Sequence, residues 1–232
     1  ISVSAFLLNR SSDLSFPFDL YHDTLYRFEI YSYNDQVYLF IDIHHSVYDG
    51  ASSLFLLNDI DRAYNGEEIE PETYSAFDFA MDELKLKKSE KYAEAEQYFK
   101  DLLEDGTTAV YPRSKSLDKT DDGQVSLTID GNAITPYCKE QGLTPNSYFL
   151  TMLMHVLHAV TREDEIVITT INNGRSDMRM MGIMGMFVKT IPVVSSSADS
   201  SKAVSEATLM MHQQLLETQS RDFYPFTKMV EL

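Results

Sequence analysis

The stretch His44-His45-Ser46-Val47-Tyr48-Asp49-Gly50 gathers two imidazoles, a carboxylate and a glycine in one short run. Imidazole is the side chain that gives or takes a proton near neutral pH, so the chemistry on offer is general acid–base catalysis. Upstream, apolar residues fall on alternate positions at Val37, Leu39, Ile41 and Ile43, the period of a strand with one buried face. On that register His45 continues the buried set, while His44 lies on the other face with Tyr38, Phe40 and Asp42. Side chains on opposite faces cannot close on one ion. The pair therefore reads as one working histidine, His45, with a structural neighbour, His44, and not as a metal site. Asp49-Gly50 predicts a turn, because glycine tolerates backbone angles that other residues avoid.

Ser52 or Ser53 then caps a helix carrying Leu54, Phe55, Leu57, Ile60 and Tyr64. A helix N-terminus close to His45 disfavours the imidazolium and leaves a neutral ring able to accept a proton. Asp49 suits a structural part, anchoring the turn through an ion pair. The plainer alternative is a histidine that only fills an apolar face. Strand, paired histidines, acid-glycine turn and capped helix occurring together favour the working one.

The elements that must position this stretch follow from the patterning on either side. Residues 1–8 read as a strand, and alternation at Tyr26, Phe28 and Ile30 marks another. Asn34-Asp35 turns the latter back into the strand that leads to the histidines, giving a hairpin. After the first helix, Asn65-Gly66 is a stop signal. Residues 75–104 read as two helices with a break near Ser89. Residues 106–123 lack periodicity and are rich in Thr, Pro, Ser, Lys, Asp and Gly, which marks a linker. A strand over 124–130, a short helix over 133–141 and a helix begun by the Thr144 cap and Pro145 come next. In that last helix Met152, Met154, His155 and His158 read as core and flank. The strand over 165–171 is apolar enough to be buried on both faces, and it opens into the loop Asn172-Asn173-Gly174-Arg175-Ser176. Ser200 or Ser201 starts a long helix ending near Gln219. The organisation expected is an N-terminal lobe over 1–105, a linker over 106–123 and a C-terminal lobe over 124–232.

Composition narrows the partners. The 232 residues carry 19 basic against 36 acidic side chains, a net charge of −17, which argues against nucleic acid or an anionic membrane. No apolar run approaches the roughly 20 residues of a membrane span, and the first residues lack a basic-then-apolar signal pattern. Cys138 is the single cysteine, so there is neither a disulfide framework nor a cysteine metal cluster. It reads as buried filler in a protein of the reducing cytoplasm.

His44 to Gly50 matches HHxxxDG and so resembles the condensation domains of nonribosomal peptide synthetases, relatives of the chloramphenicol acetyltransferase-like acyltransferases that share HxxxDG. Phe18-Asp19-Leu20 before the hairpin, Tyr74 to Ala80 with its aromatic-Asp-aromatic-Ala run, and the Gly174-Arg175 loop are similar to further family segments in the same order. Gly185, Phe187, Val188 and Thr190 resemble the family's GxFVNT strand, and Asp222 to Phe226 its QDYPF element. The chain departs from the pattern at Lys189, where Asn is usual, and in the Arg expected after that strand. Segments the family carries before the histidines and after YPF have no counterpart, so the chain resembles a central piece of such a domain.

The resemblance implies an α/β fold: a chloramphenicol acetyltransferase-like two-lobe mixed-sheet sandwich, incomplete at both ends, with the active channel between the lobes. Sheet edges left uncovered would favour self-association. The activity implied is amide bond formation between a donor acyl or peptidyl thioester and an acceptor aminoacyl thioester. His45 would orient the acceptor amine or take its proton, His44 hold the strand end, Asp49 hold the turn, and Gly50 offer a backbone amide to the oxyanion. Arg175 is either the partner of Asp49 across the two lobes or a solvated loop residue; Gly185, Phe187 and Lys189 would belong to the substrate channel. No permanent cofactor or metal is implied. Phosphopantetheine arrives on peptidyl or acyl carrier proteins, which with adjacent synthetase domains are the implied partners. A coenzyme A-dependent acyltransferase using the same histidine, and a catalytically degenerate module that only docks carriers, are the alternatives.

Overall fold

The computed structural model describes residues 17–104, 106–108 and 126–232. The expected strand over 1–8 and most of the expected linker, 109–123, lie outside them. The described residues fall into two compact units, one within the bounds 1–81 and 175–188, the other within 82–174 and 189–232.

The first unit is built on a hairpin. Strands β1 (Tyr26–Tyr33) and β2 (Gln36–Ile43) pair antiparallel from Tyr26↔Ile43 to Tyr33↔Gln36. Asn34 and Asp35 both adopt positive φ, 50° and 59°, the two-residue turn whose twist matches the flanking strands. Arg27 Nη1 donates to Asp42 Oδ2 across the pair at 3.1 Å. The alternate positions thought to be buried on β2 are not so at the turn end: Val37 is 72% and Leu39 44% exposed. Helix α1 (Gly50–Tyr64) follows, then α2 (Ala76–Leu86), of which the part up to Met81 belongs to this unit and whose first turn is closed reciprocally. Ser75 N donates to Asp78 Oδ2 and Asp78 N to Ser75 Oγ, so the acid of the aromatic-Asp-aromatic-Ala run serves as a cap. A core of Met180, Ile183 and Phe187, with Tyr74, Ala76 and Phe79 against it, closes the unit.

The second unit holds the mixed sheet. Strand β3 (Thr107–Thr108) runs parallel to β4 (Glu165–Asn172), and β5 (Lys189–Ser196) antiparallel to it, in the order β3-β4-β5. Helices α3 (Glu90–Leu103), α4 (Gly131–Glu140), α5 (Pro145–Thr161), α6 (Val204–Gln219) and α7 (Phe226–Met229) complete it. Leu150, Met154 and Leu157 of α5, Ile166, Ile191 and Val193 of the sheet, and Met211 and Leu215 of α6 form one core. Met154 and His158 are buried structural residues, as their place on the helix implied.

Several expectations are corrected here. The division does not follow 1–105 and 124–232: Ala95 and Phe99 of α3 pack on Tyr224 and Met229, which ties this helix to the chain's end. Residues 175–188 belong with the first unit, for a reason given below. Residues 126–130 form no strand; Leu127 is 81% exposed, so the alternation there has no sheet to face. On β4 only Ile166 is fully buried. The last long helix starts at Val204 behind Ala203, after a short 3-10 turn, and not at Ser200 or Ser201. The Thr144 cap and Pro145 start do hold, with Thr144 Oγ1 accepting from Ser147 N. Among the described residues no helix is long and apolar enough to cross a membrane.

Candidate active site

The strand ladder stops at Ile43. His44 N donates to Leu25 O at 2.9 Å, and the chain then winds into a 3-10 turn over His45–Val47. His44 caps that turn: its Nδ1 accepts from Ser46 N at 3.1 Å and lies 2.8 Å from Ser46 Oγ. The ring of Phe18 meets His44 edge to face. Because the Ser46 N–H donates to Nδ1, that nitrogen is an acceptor, and the N–H of a neutral ring is at Nε2. His44 thus spends its ring on local structure.

His45 does not continue a buried face, as the alternation implied. It sits on the 3-10 turn, exposed, and its ring has no hydrogen-bond partner among the described residues. No group of three or more His, Cys, Asp or Glu able to hold a metal ion exists among the described residues.

Asp49 is the fully buried member of the motif. It is no turn residue: its backbone is extended (φ −120°, ψ 176°) and its side chain caps α1, so the cap expected at Ser52 or Ser53 lies earlier. Oδ1 accepts from Ser52 N at 2.8 Å and from Arg175 Nη2 at 3.0 Å; Oδ2 accepts from Phe187 N at 3.1 Å. Burial pushes the carboxyl up, but the bonds from Ser52 N, Phe187 N, Ser52 Oγ and Arg175 outweigh it and hold Asp49 below the usual carboxylate value.

Arg175 is the expected partner, not a solvated loop residue: its side chain is 2% exposed in the ion pair. The pair lies within the first unit and does not bridge two lobes. Nη1 donates to the carbonyls of Met180 and Ile183, each at 2.8 Å. The guanidinium also lies 4.5 Å from the Phe187 ring centroid and 5.2 Å from that of Phe55. These contacts, with Phe187 N on Asp49, are why 175–188 belongs to the first unit.

Gly185 approaches the first turn of α1 so closely that its N donates to Ser52 Oγ at 3.1 Å and its O accepts from Ser52 Oγ at 3.0 Å. A Cβ there would lie 2.5 Å from the Phe187 ring and 3.1 Å from Ala76 Cβ. Gly185→Ala is therefore expected to lower stability by about 1–3 kcal/mol through overpacking. Gly50→Ala, whose Cβ meets nothing within 4 Å, serves as the neutral control in the same denaturant titration. Phe187 is buried and meets Phe79 edge to face at 5.3 Å. Lys189 is not part of this web. It opens β5 in the second unit, paired in register with Asn172, and its Nζ donates to Glu83 Oε1 at 2.5 Å. Near it, burial pushes the Asp222 carboxyl up, although Asn172 Nδ2 donates to it at 2.7 Å.

One residue of the web was not assigned to it from sequence. Ser52 appeared there only as a possible cap. Its place three residues after the capping aspartate is the one local signal, since a side chain at that position points back to the cap.

The chain is similar to several known proteins. The family model "Condensation domain" matches residues 7–232. Tyrocidine synthase 2 of Brevibacillus parabrevis is 26% identical over 224 residues, covering 93% of this chain and 6% of that protein. Among solved structures, the X-domain from teicoplanin biosynthesis superposes with a TM-score of 0.74 at 20% identity, covering 92% of this chain and 52% of that one. A four-domain nonribosomal peptide synthetase bound to AMP and glycine gives 0.73 at 21% identity, covering 95% of this chain and 18% of that one. The chain thus spans a small fraction of the curated relative it matches and about half of the X-domain chain. Its fold is the chloramphenicol acetyltransferase-like one of condensation domains, and the chain belongs to the condensation-domain family of nonribosomal peptide synthetases.

Proposed function

We propose that this chain carries the catalytic histidine of a domain that joins two carrier-bound thioesters through an amide. The acceptor amine attacks the donor thioester carbonyl. A C–N bond forms, the C–S bond breaks, and the donor pantetheine leaves as a thiol once it has gained a proton. His45 orients the amine or takes its proton, and the observation that supports this is its exposed ring, without a hydrogen-bond partner among the described residues, on the 3-10 turn that leads into the helix capped by buried Asp49. His44 caps the turn, and Asp49 caps the helix that follows it. The substrates arrive on phosphopantetheine of carrier proteins, so the domain needs no resident cofactor.

Gly50 is the first residue of α1 and is exposed. Its N–H is one of the helix's unpaired first amides and suits an oxyanion. Proline is accepted at a first helical position, and the extended backbone of Asp49 is compatible with a following proline. Gly50→Pro therefore deletes the amide while leaving the helix start intact. The expected result is a fall of about 10²–10³-fold in kcat, with an unchanged melting temperature. Unchanged kcat would remove Gly50 from the oxyanion site.

The function itself is tested with the full-length parent chain, an acyl-loaded donor carrier and an aminoacyl-loaded acceptor carrier, reading the acceptor by intact-protein mass spectrometry. Peptide on the acceptor supports condensation. Transfer from acyl-coenzyme A to a free amine, with none between carriers, would replace it with the acyltransferase reading.

A further inference from the structure

Ser52 is fully buried on the first turn of α1, and its hydroxyl oxygen lies within hydrogen-bond distance of four polar groups. These are Asp49 Oδ1 at 2.8 Å, Gly185 O at 3.0 Å, Gly185 N at 3.1 Å and Arg175 Nη2 at 3.1 Å. A hydroxyl offers one proton and two lone pairs. The Gly185 N–H and an Arg175 Nη2–H can only donate, so they fill the lone pairs. The proton goes to Asp49 Oδ1 or to the Gly185 carbonyl. Oδ1 already accepts from Ser52 N and Arg175 Nη2, whereas the Gly185 carbonyl has no other donor among the described residues. Both acceptors are in reach of that one proton, Asp49 Oδ1 at 2.8 Å and Gly185 O at 3.0 Å, and the hydroxyl oxygen accepts from Gly185 N in either case.

One side-chain oxygen thus lies within hydrogen-bond distance of both the amide and the carbonyl of a residue 133 positions away. With Asp49 Oδ2 on Phe187 N, the first turn of α1 meets three backbone groups of the 185–187 segment. That same helix is entered through the turn bearing His45. The geometry points to Ser52 as a positioning residue for the reaction: its hydroxyl locks the Gly185–Phe187 segment to the helix start, and so fixes how that segment stands against the turn carrying His45. The role rests on the reading of His45 given above. Alanine removes every one of these bonds and strands the Gly185 amide. Threonine keeps the hydroxyl, and cysteine keeps the size while weakening the bonds.

Two readouts on the full-length parent chain separate the possibilities: amide hydrogen exchange over residues 182–188, and condensation between loaded carriers, expressed per folded molecule. In Ser52→Ala, exchange over 182–188 is expected to rise at least tenfold. kcat should fall about 10- to 100-fold with KM for the loaded carriers unchanged. Ser52→Thr should restore both, and Ser52→Cys should fall between. Unchanged exchange in Ser52→Ala overturns the lock. Raised exchange with unchanged kcat per folded molecule overturns the positioning role. Should Ser52→Thr fail to fold, the graded order of Cys and Ala carries the test. Absence of transfer in the unmutated chain sinks the condensation reading, and the role with it, and is told apart because exchange is read without turnover.

Discussion

Asp49→Ala is expected to destabilise the first unit by roughly 3–5 kcal/mol, the cost of stranding a buried guanidinium by removing its partner. Arg175 is 2% exposed and cannot recover water without opening the packing of Phe55 and Phe187 around it. The substitution also removes the cap of α1 and the acceptor of Phe187 N–H. Arg175→Met should cost a similar amount from the other side. The double variant should cost less than the sum, because it leaves neither charge stranded. Urea or thermal unfolding of the four proteins closes this cycle.

Asp49→Asn changes the acid limb in a stated direction. The folded-state pKa of Asp49 lies below its ordinary value of 3.8, so its ionised form contributes stability above that value. The contribution is lost as pH falls through the depressed folded-state value. The difference in stability between the parent and Asp49→Asn should therefore be full near neutrality and shrink below about pH 4. A difference that instead grew on acidification would show that Asp49 is not held ionised.

His45→Ala is expected to leave stability within about 0.5 kcal/mol, because an exposed side chain without a hydrogen-bond partner among the described residues contributes little. The same change should lower condensation by about 10²–10⁴-fold, the usual worth of a positioned acid–base group. The two variants are thus expected to divide the motif, with the loss of activity at His45 and the loss of stability at Asp49.

The elements legible in the sequence are those specified by neighbours in the chain. Asn34-Asp35 could only be a tight turn, and Thr144-Pro145 contained both the acceptor and the fixed φ that start a helix. The Asp49–Arg175 pair was legible only through the family resemblance; no local pattern links residues 126 positions apart. The misplacement of His45 came from extending the period of β2 past its last partnered residue. Alternation reports which face a strand buries, and it says nothing once the ladder has ended at Tyr26↔Ile43. Residues 124–130 alternate as cleanly, yet among the described residues 126–130 pair with no strand, because pairing is a property of two segments. The division of the chain was misread for a related reason. A linker can be seen in composition, whereas the return of 175–188 to the first unit depends on hydrogen bonds to Asp49 and Ser52. Ser52 stayed hidden because three of the polar groups around it lie 123 or 133 residues away.

The most direct measurement is condensation by His45→Ala in the full-length parent chain, with loaded donor and acceptor carriers, read beside its melting curve. A melting temperature equal to the parent's with transfer reduced at least 100-fold is the predicted result. Transfer at the parent's rate from a normally folded His45→Ala protein would contradict the account.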